Sequence, residues 1–239
     1  MKLLITGGAG FVGARLARTL LEKGTLAGQP IHRLVIADQF APAADLAADP
    51  RVEARTGALQ QCAGFAADRF DGVFHLASAV SGECEADFEL GLRSNLDSTR
   101  ALLDALRAGV AAGGKVPRLV FSSSVAVYGP EASNPMPPLV RDDTLPTPQT
   151  SYGTHKLICE HLVADYTRKG FIEGRSARLN TVTVRPGRPN GAASSFFSGI
   201  IREPLAGQEA ILPVDPSVSH PVASPARTVE GLIAVFEAP

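Results

Sequence analysis

A doubly wound α/β fold on a parallel sheet is what this sequence predicts, and three observations carry the prediction. Short apolar, β-branched runs alternate with helical patterns through the first part of the chain. The runs are apolar at consecutive positions, as strands covered on both faces are. Proline, which interrupts regular structure, gathers in the second part: of 18 prolines only Pro30, Pro42 and Pro50 precede Lys115.

The elements follow in order. Lys2–Thr6 reads as a strand and Phe11–Lys23 as a helix with apolar residues at Phe11, Val12, Leu16, Leu20 and Leu21. His32–Ala37, Val52–Arg55 and Gly72–Ala77 supply three more strands. A long helix is expected from about Cys84 to Ala108, because Phe88, Leu92, Leu96, Leu103 and Leu106 keep near-helical spacing. Arg118–Ser122 is the fifth strand, Ser151–Arg168 a helix and Thr181–Arg185 the sixth strand. The Pro/Gly/Ser stretch Pro186–Ser195 then leads to a short helix near Phe196–Leu205, a possible strand at Ala210–Val214 and a final helix from about Arg227 to Glu237. The expected division is therefore 1–185 for the sheet domain and 186–239 for a small annex on the substrate side.

Composition excludes several classes. The 239 residues, 45% hydrophobic and 20% charged, suit one globular unit with a minor extension, at roughly 150 residues per domain. With 23 basic and 24 acidic residues there is no overall pull toward nucleic acid or anionic lipid. Cys62, Cys84 and Cys159 are scattered and odd in number, which argues against a disulfide framework or zinc site and fits a reducing cytoplasm. Thr6-Gly7-Gly8 ends the first apolar run, and no run approaches the roughly 18 residues of a membrane span. His32, His75, His155, His161 and His220 show no metal-ligand spacing, so no metal site is expected; no GxSxG elbow points to a hydrolase.

The first chemical signal is Thr6-Gly7-Gly8-Ala9-Gly10-Phe11-Val12-Gly13, between a strand and a helix. Gly7 allows a tight turn, Gly10 lets the backbone approach a diphosphate, and Gly13 lets helix and strand pack closely. The helix opening at Phe11 and Val12 then turns free amides toward the anion. Asp38, at the end of the second strand, is placed to accept hydrogen bonds from a ribose diol. Gln39 and Phe40 follow it, with no cation for a 2′-phosphate, so NAD is expected over NADP. No GK[ST] follows the glycines, which disfavours a nucleoside triphosphatase.

The second signal combines Ser122-Ser123-Ser124 at a strand end with Tyr152 and Lys156 one helical turn apart. A tyrosine near its reference pKa of about 10 is a poor base at neutral pH. A neighbouring ammonium and a positive nicotinamide would favour phenolate; a drop of ~3 units needs about 4 kcal/mol. Ser124 would hold the substrate oxygen against Tyr152.

The chain thus resembles the extended short-chain dehydrogenase/reductase superfamily, which includes NAD-dependent epimerases and dehydratases. The matching landmarks are GGAGFVG, VFHLAS, the serine run before VYG, YGTHK and VTVRPG, in order across nearly the whole chain. The resemblance implies a Rossmann domain with Tyr152 as the proton-transferring residue, Lys156 on the nicotinamide ribose, Ser124 orienting substrate and Asn95 supporting a proton relay. It also implies that Leu59, Leu76, Ala77 and Pro186 border the cofactor. Where relatives carry an acidic residue near adenine this chain has Gly57-Ala58-Leu59, so that recognition is lost at Ala58.

The later segment VTVRPGRPNGAASSFFSGIIREPLAGQEAILPV with VASPA is similar to the D-erythronate dehydrogenase subfamily. That similarity implies oxidation of the C2 hydroxyl of a four-carbon sugar acid, with Arg185, Ser194, Ser195 and Arg202 as candidates to hold the anion. A nucleotide-sugar epimerase that retains its NAD is the rival, and a non-catalytic NAD-sensing protein is a third reading. Relatives extend beyond the position of Pro239, so the chain reads as C-terminally short. The expected partner is a small molecule, with no nucleic acid or membrane, and a homodimer through the long helices is expected.

Overall fold

The computed structural model describes residues 1–59, 65, 68–187 and 192–239. Cys62 and the middle of the Pro186–Ser195 stretch lie outside them. The chain opens with β1 (Lys2–Thr6) and α1 (Phe11–Lys23). Gly24 ends α1 in the left-handed conformation, φ 66°, and donates its N–H to the Leu20 carbonyl. A small hairpin, β2 (Thr25–Leu26) and β3 (Gln29–Pro30), leads into β4 (Arg33–Asp38). Then come α2 (Ala44–Ala47), β5 (Val52–Thr56) and β6 (Gly72–His75). Two short helices, α3 (Ser81–Ala86) and α4 (Phe88–Gly91), precede a π-helical turn at Leu92–Asp97 and the longer α5 (Ser98–Ala111). β7 (Arg118–Ser124), α6 (Ser151–Arg168) and β8 (Glu173–Leu179) follow. The remaining elements are β9 (Thr181–Val182), α7 (Phe196–Leu205), β10 (Val222–Ala223) and α8 (Pro225–Glu237).

Six strands form one parallel sheet in the order β5-β4-β1-β6-β7-β8. Strand order reverses between β1 and β6, and the crossovers diverging there open a crevice at the carboxyl ends of the strands. Alternate residues of each strand feed two cores. Leu3, Ile5 and Phe74 pack with Leu16 and Leu20 of α1 and with Leu232 and Phe236 of α8. Leu4, Val73, Leu119 and Phe121 pack with Leu102, Leu103 and Leu106 of α5 and Val163 of α6. Burying each such side chain contributes about 1.5–3 kcal/mol, so the site rests on a rigid base. Among the described residues no helix is long and apolar enough to cross a membrane.

Four expectations are corrected. The sixth strand of the sheet is Glu173–Leu179, not Thr181–Arg185; Thr181 and Val182 pair instead with Val222 and Ala223 in a separate two-stranded ribbon. Ala210–Val214 forms no strand. The long helix expected from Cys84 breaks at Asp87, whose extended backbone lets its carboxylate accept from Leu90 N at 2.9 Å and cap a new helix. Finally, α8 follows residue 186 in sequence yet returns to the sheet, where the Phe236 ring stacks on Phe74 at 5.2 Å.

Candidate active site

The glycine turn leaves β1 at Thr6. Gly7 has φ +70°, and a Cβ there would lie 2.7 Å from Ala77 N; at Gly13 it would lie 2.2 Å from the Gly7 carbonyl oxygen. These two contacts weld α1 to the ends of β1 and β6, which only glycine permits. Gly10 precedes the helix without any side-chain cap, so the first amides of α1 are left for an anion. Asp38 at the end of β4 closes the other side: its carboxylate accepts from Ala9 N at 3.0 Å and Phe40 N at 3.1 Å.

Two adjoining cavities follow the crevice. One, about 780 Å³, is bordered by Gly7, Gly10, Asp38, Leu59, Leu76 and Ala77 among others. The other, about 560 Å³, is lined by Phe11, Val12, Gly13, Ser124, Tyr152 and the annex residues Ser194 and Ser195. Arg185 borders both, so it stands where they join. Lys156, Asn95 and Pro186 line neither.

Tyr152 owes its place to Thr150 and Gly153. Thr150 caps α6 by accepting Gly153 N at 3.0 Å, which fixes the first turn. A Cβ at Gly153 would stand 2.1 Å from the Ala126 carbonyl oxygen, so α6 presses against the turn that follows β7. Tyr152 and Ser124 are thereby brought together from two elements, and both line the same cavity. Burial pushes the Tyr152 phenol up to about 12, and the Ser124 hydroxyl beside it only partly offsets this. Lys156 was expected to pull the phenol down; instead its ammonium lies behind the ring, 5.5 Å from the Tyr152 centroid, and donates to the Ser122 carbonyl at 2.8 Å. Complete burial lowers Lys156 itself to about 8. In the protein alone, then, Tyr152 is a neutral phenol and Lys156 an ammonium near its titration point.

Behind these groups runs a buried polar chain. Thr99 Oγ1 donates to the Asn95 carbonyl oxygen at 2.6 Å, so it accepts from His75 Nε2 at 2.9 Å. Nδ1 of His75 therefore accepts from Thr6 Oγ1 at 2.6 Å. His75 is neutral, its pKa pushed down to about 3 by burial and further opposed by Lys156. Asn95, on the π-helical turn, grips Ala79 from both sides: Oδ1 accepts Ala79 N at 2.7 Å and Nδ2 donates to Ala79 O at 3.3 Å. It thus shapes the loop after β6 that borders both cavities. Cys84 and Cys159 are buried beside it, with Asn95 Nδ2 3.2 Å from Cys84 Sγ and Cys159 Sγ donating to Asn95 O at 3.5 Å.

A glycine-welded turn, a strand-end acid and a Ser/Tyr/Lys group around one crevice agree with what the comparisons find. The model of the NAD dependent epimerase/dehydratase family matches residues 3–219. The chain belongs to that family.

Among its relatives, D-erythronate dehydrogenase of Cupriavidus necator is 52% identical over 98% of this chain and 71% of its own length. D-erythronate dehydrogenase of Haemophilus influenzae is 41% identical over 100% of this chain and 73% of its own. A crystal structure described as a nucleoside-diphosphate-sugar epimerase from Agrobacterium tumefaciens superposes with TM-score 0.90 at 46% identity, covering 100% of this chain and 69% of that one. The chain is an NAD-dependent dehydrogenase of the extended short-chain type.

The residues present fit NAD. The Gly7–Gly13 cradle faces a cavity with an uncapped helix end, and Asp38 borders the same cavity beside Ala9. Arg55 also borders that cavity, a cation the sequence reading did not consider beside the ribose site. It is committed elsewhere, ion-paired to Asp68 and, at 2.7 Å, to Glu53, so it offers no free charge for a 2′-phosphate.

Sequence reading also missed Gly153, whose lack of a side chain places Tyr152, and the cavity residues Tyr128, Asn180, Thr181 and His220. No local spacing marks them; β7, β8 and the β9–β10 ribbon bring them together. Arg202 also lines the smaller cavity, but its guanidinium is already engaged: Nη1 donates to the Arg185 carbonyl at 2.6 Å and Nη2 pairs with Glu203 at 2.5 Å. Ser198 Oγ accepts Arg185 N at 2.9 Å. The Arg185 backbone is clamped at both ends, and its own guanidinium has no hydrogen-bond or ion-pair partner among the described residues.

Proposed function

We propose that this enzyme oxidises the C2 hydroxyl of a four-carbon sugar acid, D-erythronate, to the 2-oxo acid. The observation that carries the reading is Arg185, whose guanidinium has no partner among the described residues and which borders the cavity that also holds Ser124 and Tyr152. A small carboxylate is the natural partner for such a group, and Arg can meet it with two parallel hydrogen bonds. The names of the relatives at 52% and 41% identity support the same substrate.

NAD, when bound, supplies the hydride acceptor and a positively charged ring. The Gly7, Gly10 and Gly13 turn with the start of α1 at Phe11 and Val12 holds its diphosphate, and Asp38 its adenosine ribose. Leu59, Leu76 and Ala77 border it, with Pro186 near the nicotinamide. Arg185 anchors the substrate carboxylate, helped by Ser194 and Ser195. Ser124 donates a hydrogen bond to the C2 oxygen, and Tyr152 Oη takes the proton of that hydroxyl as a phenolate, the form that the positive charges of Lys156 and of a bound nicotinamide would favour over the neutral phenol of the protein alone. Lys156 holds the nicotinamide ribose and contributes positive charge behind the Tyr152 ring, while Asn95 keeps the loop at Ala79 and a proton path in place. Residues 1–185 form the coenzyme domain, and of 186–239 the part before α8 contributes the substrate side, while α8 packs back on the sheet.

The test is production of NADH by the purified chain over a panel of four-carbon sugar acids and UDP-sugars. NADH from D-erythronate supports the reading. Interconversion of UDP-sugars without net NADH would replace it with the epimerase, and NAD binding without either would leave a binding protein.

A further inference from the structure

Tyr128 lines the same cavity as Ser124, Tyr152 and Arg185, yet the proposed reaction leaves it without a role. It is braced from behind by three residues. Arg178 Nη1 donates to the Tyr128 phenol oxygen, and the guanidinium lies 5.0 Å from the ring centroid. The same guanidinium grips Glu160 with two further bonds, Nε to Oε1 at 2.9 Å and Nη2 to Oε2 at 2.7 Å. Ser123 Oγ donates to Glu160 Oε1. Glu160 stands on α6 one turn beyond Lys156, and Arg178 is the β8 residue in register with Ser123. The brace is therefore tied to both elements that carry Ser124 and Tyr152. With side-chain exposures of 11% for Glu160 and 26% for Arg178, the pair is shielded enough to hold one geometry.

The polarity of this brace matters. A guanidinium only donates, so it occupies acceptor capacity of the phenol oxygen and leaves the O–H to donate elsewhere. The acceptor that this O–H finds among the described residues is the Arg141 carbonyl at 3.3 Å, a long contact. We propose that Tyr128 is a second substrate-holding phenol: a fixed hydrogen-bond donor to the C3 or C4 hydroxyl oxygen of the polyhydroxy acid, with Glu160 and Arg178 as its positioning residues. This deepens the sugar-acid reading and rests on it. Tyr152 exchanges a proton; Tyr128 reads the substrate.

The test is Tyr128→Phe, which removes one oxygen, assayed with D-erythronate and with its 3-deoxy and 4-deoxy analogues. The expected result is a KM for D-erythronate raised about tenfold with kcat within about twofold and NAD affinity unchanged. One of the two analogues should show no difference between wild type and Tyr128→Phe, since it lacks the oxygen that Tyr128 meets. Arg178→Lys, which keeps the charge but loses the fork, should show a smaller rise in KM. Equal KM values for D-erythronate in wild type and Tyr128→Phe overturn the inference, and so does loss of NAD affinity, which would make the hydroxyl a support of the fold. If the wild type acts on UDP-sugars instead, the sugar-acid reading fails by itself. Tyr128 is then judged on the KM for that sugar. If it turns over neither class, calorimetric binding of D-erythronate to the NADH-loaded protein decides, and equal affinities again overturn the inference.

Discussion

Lys156 Nζ donates to the carbonyl oxygen of Ser122 at 2.8 Å, and through that bond the buried ammonium of α6 is tied to the strand that ends in Ser124. The charge is held where burial opposes it, between the rings of Phe121 and Tyr152 at 4.8 and 5.5 Å. A site that stores an unfavourable charge until a ligand arrives carries a signature in the stability of the free protein.

That signature is a pH dependence. The folded Lys156 titrates near 8 rather than 10.5, so between those values the unfolded chain binds more protons than the folded one. Stability contributed by this group therefore rises with pH across that window, and the penalty, about 3 kcal/mol, is fully present below pH 8. Tyr152, raised to about 12 from 10, acts oppositely above pH 10. Urea unfolding at pH 7.5 and pH 10 should show Lys156→Met losing the rise that wild type displays, measured as the difference between the two proteins. An identical pH difference in both would contradict the assignment.

His75 makes a prediction of the same sign in acid. Its folded pKa of about 3 against 6.5 unfolded means that the unfolded chain takes up a proton first as pH falls. Its stabilising contribution is present above pH 6.5 and is lost between 6.5 and 3, on the order of 4 to 5 kcal/mol. His75→Gln, compared with wild type by thermal unfolding from pH 7 to pH 4, should flatten the acid limb. It should also start from lower stability, because Thr6 and Thr99 lose a well-placed partner.

How far the site was legible follows from which contacts are local. The glycine turn, α1 and the Tyr152–Lys156 turn are written in short stretches, and Phe11–Lys23 and Ser151–Arg168 match the expected helices. Glu173–Leu179 was missed because EGRSARL is an edge strand, pairing with β7 alone and leaving Glu173 and Ser176 exposed, so it lacks the apolar run of its neighbours. TVTVR has the stronger strand composition, but its partner is Val222–Ala223, a pairing no local pattern announces. The brace of Ser123, Glu160, Arg178 and Tyr128 exists only through the β7–β8 register and the packing of α6. The direction of the Tyr152 shift was likewise invisible, since spacing records that Lys156 is near but not that burial outweighs it.

Gly153→Ala tests whether helix packing sets the catalytic geometry. The added methyl would meet the Ala126 carbonyl at 2.1 Å, so α6 must move away from Ser124. Stability should fall by about 1–3 kcal/mol and kcat by roughly 10²-fold. A variant with wild-type kcat would show that the close approach is dispensable.

Arg185 and Arg202 should separate kinetically. Arg185→Met removes the guanidinium proposed to hold the carboxylate and should raise the KM for the acid substrate about 10- to 100-fold, with NAD affinity nearly unchanged. Arg202→Met leaves that guanidinium in place but frees its backbone, so a smaller effect that includes kcat is expected. Equal effects would mean that both bind the anion directly.

The central claim is that Tyr152 moves the substrate proton, and Tyr152→Phe tests it most directly when turnover and NAD binding are measured on the same preparation. The account predicts that kcat falls by at least about 10³-fold while the dissociation constant for NAD stays within about threefold. Turnover retained within tenfold of wild type would contradict it.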